Sequence, residues 1–264
     1  MFDSHCHLHD VRMAPFADQA IERARARGVT GFMLAGVEPE GWRDEVALSA
    51  RHADCAVSYG VHPELVDEVP ETALWRMVEE LAHAVAGDTL PRPAALGELG
   101  LDRATPERKQ RLALQERIFR AELALARDAE LPIILHVRDA HGRALEILTG
   151  DGAPGRGGVV HSYSGPAELV TAYEGLGLHI SFTGIVCQPR AQRSRGAAAR
   201  VSVERLLVET DAPDQTPLPH RPAPNEPAFL PAVVASLAEL RGETPEAIAA
   251  VTERNARSLF GLDG

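Results

Sequence analysis

Eight short apolar runs recur along this chain, and longer stretches of mixed polarity separate most of them. This alternation is typical of β-strands that are each followed by a helix and that together form a parallel sheet. The predicted strands are residues 1–7, 31–37, 56–62, 94–99, 132–137, 158–163, 179–183 and 205–209. The clearest predicted helices are residues 15–27, 107–130, 225–240 and 245–259.

Two architectures accommodate this pattern, a closed (β/α)8 TIM barrel and an open doubly wound sheet. No Gly-x-Gly-x-x-Gly motif follows the first run, which removes the usual sign of a dinucleotide-binding open sheet. A length of 264 residues also suits a barrel, which typically has about 250. We therefore predict that residues 1–264 form a single α/β domain with the TIM-barrel fold. The Pro-rich residues 211–231 are expected to form a long ordered loop at the barrel mouth.

The composition indicates a globular protein of a reducing compartment. No apolar run approaches the roughly 20 residues that span a bilayer, and the residues after Met1 lack the basic and apolar regions of a signal peptide. The three cysteines, Cys6, Cys55 and Cys187, are too scattered for a disulfide framework. We expect a cytoplasmic protein that needs neither a membrane nor an obligate protein partner.

The formal net charge of −11 disfavours nonspecific binding of nucleic acid, which generally requires a basic surface. Two features weaken this objection. Some carboxylates would be neutralised if they bound metal ions, and one short segment is rich in arginine: Arg190, Arg193, Arg195 and Arg200. That segment is either a local anion-binding edge or a solvated loop.

The motif Asp-Ser-His-Cys-His at residues 3–7 lies in the first predicted strand. Because alternate side chains of a strand share a face, we expect His5 and His7 to point into the barrel together. They would lie at the C-terminal end of the strand, where the catalytic residues of TIM barrels cluster. Cys6 is expected to face the helix layer and is not a predicted ligand. Taken alone, the two histidines could equally be packed or surface residues.

Four further polar side chains end or follow predicted apolar strands: Glu98, His136, His161 and Asp211. Six such groups at one end of five strands would each need a partner if they were buried, and a shared metal centre supplies one. Imidazole and carboxylate groups together suit Zn, Mn, Fe or Ni, whereas Mg prefers oxygen ligands. The sequence therefore predicts a divalent metal site.

Five segments, in order along the chain, resemble the TatD family of metal-dependent hydrolases, often called TatD-type deoxyribonucleases. They are residues 3–7 (DSHCH), 97–102 (GELGLD), 135–138 (LHVR), 161–165 (HSYSG) and 209–213 (ETDAP). Residues 60–63 (GVHP) and 225–227 (NEP) also match family signatures. The likeness extends from the first predicted strand to the last helices.

The resemblance implies a (β/α)8 barrel that binds two divalent metal ions. One ion would have these ligands: His5, His7, Glu98 and Asp211. The other would have these: Glu98, His136 and His161. Glu98 would thus bridge the two ions, and His62 and Arg138 would lie near the substrate.

Two segments depart from the family pattern. Residues 184–190 (GIVCQPR) stand where the family usually has a polar stretch that contains lysine. Residues 219–224 also lack the usual form, although Arg221 is still expected to supply a cation to the substrate. Glu209 shares a face with Asp211 and is either a hydrogen-bonding partner of a ligand or half of an internal ion pair. Asn225 is expected to organise the long loop.

The leading functional prediction is phosphodiester hydrolysis by water that two divalent metal ions activate, as in a deoxyribonuclease acting at the 3′ end of a strand. The substrate would be DNA or a small phosphoester. Asp211 is the predicted base that takes the proton of the attacking water, and Glu98 completes the catalytic pair as the bridging carboxylate.

Two alternatives remain open. The same site could hydrolyse a small ester or amide such as an aminoacyl ester, and the negative net charge fits a small substrate better than a polymer. Lys109 is the only lysine and lies in a predicted helix, which excludes the carboxylated-lysine bridge of many amidohydrolases. A degenerate site that serves only as a binding surface conflicts with the complete set of six candidate ligands.

Overall fold

Eight parallel strands form one sheet, in the order β1 to β8, in the computed structural model, which describes residues 1–262. The strands are β1 Phe2–Cys6, β2 Gly31–Ala35, β3 Cys55–Tyr59, β4 Ala95–Asp102, β5 Ile133–Arg138, β6 Gly158–Val160, β7 Leu178–Phe182 and β8 Leu206–Val208. The segment after β8 closes the sheet on β1, because the Asp211 N–H donates to the His5 carbonyl at 3.0 Å and the His7 N–H donates to the Ala212 carbonyl at 2.8 Å. The predicted (β/α)8 TIM barrel is confirmed.

Helices follow the strands and surround the barrel. They are α1 Ala17–Ala26, α2 Pro39–Ser49, α3 Glu71–Ala86, α4 Pro106–Gln110, α5 Leu112–Asp128, α6 His141–Asp151, α7 Val170–Gly175, α8 Gln192–Arg200, α9 Leu230–Arg241 and α10 Pro245–Phe260. Across residues 1–262, no helix has both the length and the apolar character that crossing a lipid bilayer requires.

Two predicted helices differ from those in the structure. The predicted helix at residues 107–130 is interrupted at Arg111, which separates α4 from α5. The one predicted at residues 225–240 begins as α-helix only at Leu230. Asn225 is fully buried, and its Nδ2 donates to the carbonyls of Thr210 at 2.7 Å and Asp214 at 2.6 Å. These bonds hold Asn225 in the loop that follows β8.

β4 extends to Asp102, although the sequence predicted that it ends at residue 99 beside Glu98. Three residues of β4 span two residues of β5 between Leu96 and Leu99, so the pairing is locally irregular. Gly97 has a φ of 151°, and a Cβ at this position would lie 2.5 Å from the Ile134 carbonyl. Only glycine fits there, and the irregularity directs the next side chain, Glu98, into the barrel mouth.

The lower half of the barrel interior is apolar and closed. Six strands contribute one side chain each to this core: Phe2, Met33, Ala95, Ile134, Val159 and Leu207. Helix α10 packs Ala256, Leu259 and Phe260 against them, with the rings of Phe2 and Phe260 6.2 Å apart. The polar side chains of the barrel therefore face the opposite end.

We expect Phe260→Ala to lower the free energy of unfolding by about 3–5 kcal/mol, because it opens a cavity in the packed floor of the barrel. Phe260 is 4% exposed, whereas Phe16 is 59% exposed and provides a matched control. Phe16→Ala is expected to change the free energy of unfolding by no more than about 0.5 kcal/mol. Urea unfolding followed by circular dichroism compares the two variants, and equal effects would contradict the role assigned to α10.

Candidate metal centre

Seven polar side chains meet at the C-terminal end of the barrel, at the base of an open cavity of about 1130 Å³. They come from strands or from the segments that follow them: His5 and His7 (β1), His62 (β3), Glu98 (β4), His136 (β5), His161 (β6) and Asp211 (β8). All except His5 line the cavity, and His5 is fully buried. The structure thus brings the six predicted ligands together, and His62 joins them.

The carboxylate of Glu98 lies at the centre of this cluster and is 2% exposed. Its Oε1 faces three imidazole nitrogens. The distances are 2.7 Å to His161 Nε2, 2.8 Å to His136 Nδ1 and 3.0 Å to His62 Nε2. One carboxylate oxygen therefore contacts imidazoles that three different strands position.

The other oxygen of Glu98, Oε2, faces the histidines of the first strand, at 3.2 Å from His5 Nε2 and 3.5 Å from His7 Nε2. Asp211 Oδ1 lies on the far side of the same two nitrogens, at 3.7 Å and 3.4 Å respectively. Both imidazole nitrogens and both carboxylate oxygens thus surround one point. Glu98 stands between two separate groups of nitrogens.

Hydrogen bonds at the rear of two imidazoles indicate which ring nitrogen carries the proton. His7 Nδ1 lies 3.0 Å from the Ala35 carbonyl, and His136 Nε2 lies 3.2 Å from Asp102 Oδ2. Since these partners only accept protons, the opposite nitrogen of each neutral ring presents a lone pair to the centre. His161 Nδ1 lies farther from Glu209 Oε1, at 3.6 Å, and has no hydrogen-bond partner among residues 1–262.

His62 has the reverse arrangement. Its Nδ1 accepts a hydrogen bond from the backbone N–H of Glu64 at 3.1 Å, so the proton of the neutral ring resides on Nε2. That N–H points at Glu98 Oε1. His62 therefore presents a donor to the centre, whereas a metal ligand would present a lone pair.

The chemistry of these groups fits divalent cations. His5 Nε2 and His7 Nε2 are 3.1 Å apart, a separation at which lone pairs on both atoms would repel unless a cation lay between them. His136 Nδ1 and His161 Nε2 make a second pair at the same distance of 3.1 Å. Nitrogen with carboxylate oxygen is the donor combination that Zn, Mn, Fe and Ni accept. Two groups in this centre could therefore each hold a cation.

The protonation of the carboxylates is consistent with a cation site. Burial would raise the pKa of Glu98, but the neighbouring imidazoles hold it well below its usual range. Burial also opposes ionisation of Asp211, yet the hydrogen bond to His7 and the nearby imidazoles lower its pKa. Both carboxylates thus carry the negative charge that a cation would balance.

Glu209 was predicted to be either a partner of a ligand or half of an ion pair, and its Oε1 lies 3.6 Å from His161 Nδ1. It is fully buried beneath His161 and accepts hydrogen bonds from the Ser162 N–H at 2.5 Å and from the Ser181 hydroxyl at 2.6 Å. Within residues 1–262, no arginine makes an ion pair with Glu209. Its charge therefore acts on the imidazole of His161.

Sequence reasoning assigned no role to Asp102, which lies behind His136. Asp102 is fully buried, and its Oδ2 contacts both His136 Nε2, at 3.2 Å, and Arg108 Nη1, at 3.0 Å. Burial would raise its pKa, but these contacts lower it to about 2. The strand period was the signal that could have identified it, since Glu98 and Asp102 are four residues apart and share a face of β4.

Gln215 was also missed. Its Nε2 donates to Asp211 Oδ2 and to the Ser162 hydroxyl, the latter at 2.7 Å. Asp211 and Gln215 both have a φ of 56°, so the loop after β8 turns sharply at each. The sequence carried no signal for this contact, because it depends on the path of that loop.

The predicted arginines occupy different environments. Arg138, Arg190 and Arg193 line the cavity, whereas the Arg195 guanidinium donates to the Val186 carbonyl at 2.9 Å. Arg221 Nε donates to the Thr216 carbonyl at 3.0 Å and does not line the cavity. The structure thus brings Arg138 to the site and leaves Arg221 outside it.

Two further features of the sequence do not involve the predicted metal ligands. Residues 184–190 begin with a short 3-10 helix, Gly184–Cys187, whose first turn is capped by the Thr183 hydroxyl. Cys6 packs in the core between the barrel and its helices and belongs to none of the potential metal-binding groups found among residues 1–262.

Comparisons with known proteins agree with this geometry. A family model described as TatD related DNase matches residues 2–261. The 3′-5′ ssDNA/RNA exonuclease TatD of Klebsiella pneumoniae is 36% identical over 273 residues, which cover 100% of this chain and 98% of that protein. The uncharacterized metal-dependent hydrolase YabD of Bacillus subtilis is 32% identical over 265 residues and is covered completely, as is this chain.

Solved structures give the same result. The crystal structure of YJJV, a TatD homolog from Escherichia coli, matches with a TM-score of 0.89 at 28% identity, covering 99% of this chain and 98% of that one. A variant of an organophosphorus hydrolase from Deinococcus radiodurans shares the fold, with a TM-score of 0.64 and 22% identity over 98% of this chain and 92% of that one. The chain belongs to the family of TatD-related DNases and is a metal-dependent, nuclease-like hydrolase.

Proposed function

We propose that this protein uses two divalent metal ions to remove nucleotides from the 3′ end of single-stranded nucleic acid. The proposal rests on one observation: the two carboxylate oxygens of Glu98 face two separate groups of imidazole nitrogens. A 3′-5′ ssDNA/RNA exonuclease with 36% identity over the whole chain supports the choice of substrate.

In the proposed site, two ions would share Glu98. One would be held by these residues: His5, His7, Asp211 and Glu98. The other would be held by these: His136, His161 and Glu98. His62 is not a ligand, because its Nε2 carries a proton. Four imidazoles favour Zn, Mn, Fe or Ni over Mg, which prefers oxygen.

When bound, the ions supply Lewis acidity, which polarises a phosphoryl group and makes water a better nucleophile. The residues of the chain position the reactants and move the proton. The lowered pKa of Asp211 keeps its carboxylate ionised, so it can accept the proton of the attacking water, while Gln215 holds its other oxygen. His62, which also lines the cavity, keeps its Nε2–H on Glu98 Oε1 and orients that carboxylate, and Arg138 at the cavity wall would bind phosphate. Arg221 has no part in this mechanism.

The size of the cavity favours a nucleic-acid segment over a small ester or amide. Its volume of about 1130 Å³ exceeds the roughly 300–1,000 Å³ that is common for small-molecule pockets. We also place the activity in the cytoplasm, which the free thiols of all three cysteines support, since free thiols are typical of reducing compartments.

Glu98→Gln is expected to reduce bound metal from about two ions per chain to fewer than one, because it removes the charge shared by both sites. Cleavage of 3′-ended single-stranded DNA should fall on the order of 1,000-fold. Elemental analysis and a gel assay with Mn²⁺ measure the two effects, with the exposed Glu79→Gln as control. Unchanged cleavage contradicts the proposal, and cleavage of p-nitrophenyl carboxylic esters without that of phosphodiesters supports the small-ester alternative.

Substitution of His62 and of His136 should have different consequences. His62→Ala is expected to retain the metal content of the wild type and to lose activity by about 10- to 100-fold, because the hydrogen bond that orients Glu98 is lost. His136→Ala removes a proposed ligand and should lower metal content. Elemental analysis of both variants beside kcat measurements separates these roles. Loss of metal in His62→Ala would show that His62 is a ligand.

Asp102→Asn is expected to weaken metal binding by about 10- to 100-fold, because the charge that orients His136 and increases its basicity is lost. Asp67 is a matched control, since it pairs with the same Arg108 at 2.8 Å and does not contact His136. Competition with a fluorescent chelator measures the affinity of each variant. Equal losses in Asp102→Asn and Asp67→Asn would mean that Asp102 acts only through Arg108.

A further inference from the structure

The two sides of the cavity have opposite charge. Residues after β1, β2 and β3 contribute these carboxylates to its lining: Asp10, Glu38, Glu40, Asp44 and Glu64. Residues at the ends of β5 to β7 contribute these arginines: Arg138, Arg190 and Arg193. Within residues 1–262, no carboxylate from the segments at the ends of β5, β6 and β7 lines the cavity. Because the strands follow one another around the barrel, β2 lies opposite β6, and the two charged walls face each other across the metal centre.

Ion pairs neutralise only part of the acidic wall. Arg12 contacts Asp10 at 2.7 Å and Asp214 at 2.8 Å, and Arg108 contacts Glu64 at 2.6 Å. The remaining acidic residues have no ion pair with any residue in the described part of the chain: Glu38, Glu40 and Asp44. Glu38 immediately precedes α2, and Glu40 and Asp44 lie in its first two turns. We call these three residues the acidic rim.

The opposite wall has cations without partners. The side chains of Arg138, Arg190 and Arg193 are exposed and make no ion pair with residues 1–262. Residues 192–194, the first turn of α8, also line the cavity beside these arginines. We call Arg138, Arg190 and Arg193 the basic wall.

A nucleic-acid strand that is cut at the metal centre must extend toward one wall. The internal phosphates of the strand are attracted to the basic wall and repelled by the acidic rim. The terminal nucleoside, on the other side of the scissile bond, then lies toward the acidic rim. A terminal hydroxyl can donate a hydrogen bond to a carboxylate there, whereas a terminal phosphate meets like charge.

We infer that the basic wall binds the internal phosphates of the strand and that the acidic rim selects a 3′ end that carries a hydroxyl and rejects one that carries a phosphate. The inference rests on the proposed function, because it assumes a strand cut at the metal centre. It adds the direction of the strand across the cavity and the chemistry of the end that is accepted.

The basic wall is tested by the double variant R190A/R193A. Arg200 lies on the same helix, is exposed and does not line the cavity, so R200A is the matched control. The probe is a fluorescein-labelled single strand with phosphorothioate linkages at its 3′ end, which resist cleavage, and anisotropy measures its affinity over a range of salt concentrations. The slope of log K against log salt is negative, and for the double variant its magnitude should fall by about 1.4, since each phosphate contact on a single strand contributes about 0.7.

The acidic rim is tested by the triple variant E38Q/E40Q/D44N. Affinities for the same strand with a 3′-hydroxyl or a 3′-phosphate are compared in the wild type, in this variant and in E79Q/D128N/E130Q. The control changes the same number of exposed carboxylates outside the cavity. We expect the wild type and the control to prefer the hydroxyl end about tenfold, which corresponds to roughly 1.4 kcal/mol, and the triple variant to lose that preference.

Hydrolysis of bis(p-nitrophenyl) phosphate separates this inference from the proposed function. This substrate has neither an internal phosphate nor a 3′ end for the charged walls to distinguish, so its kcat/KM should be similar in the wild type and in both cavity variants. If the wild type does not cleave phosphodiesters, the proposed function fails, and the binding measurements still test the charged walls. An unchanged salt slope in R190A/R193A, or equal affinity of the wild type for both strand ends, overturns the inference.

Discussion

The negative charge of Glu98, buried in the barrel, is the constraint on which the rest of the site depends. An isolated buried carboxylate is strongly unfavourable unless charged or hydrogen-bonding groups surround it. Here imidazoles from β1, β3, β5 and β6 supply those groups within 3.5 Å. Local irregularities in β1 and β4 accompany this arrangement, between Asp3 and Cys6 and between Leu96 and Leu99. The strand ends are thus tied to one another through a single side chain.

Much of this arrangement could be predicted from the sequence. The alternation of side chains along a strand and the order of the strands along the chain can both be read from the sequence itself. The apolar runs indicated eight strands, and the polar residues at their ends indicated the side chains that meet. His5 and His7 lie on one face, as the strand period requires, with their Nε2 atoms 3.1 Å apart. The family resemblance was confirmed. It separated His62 from the predicted ligands, and the Glu64 N–H that donates to His62 Nδ1 is consistent with that prediction.

Other features depend on contacts between distant segments and could not be predicted from local patterns. Arg221 was expected near the substrate, yet the path of the long loop ties it to Thr216. The same loop brings Gln215 to Asp211, and the long β4 places Asp102 behind His136. The arginines of residues 190–200 divided in a similar way, since their neighbours in the fold decide which of them line the cavity.

The apolar floor of the barrel affects how substrate could enter the site and how product could leave it. With α10 packed across the lower end, side chains fill the barrel below the metal centre, so a strand could not thread through it. Under the proposed function, a released nucleotide would depart by the entrance that the strand occupies. The strand would then have to withdraw, or at least to loosen, before each new end could enter. Such a blind-ended chamber suits the trimming of ends one at a time more than continuous passage along a polymer.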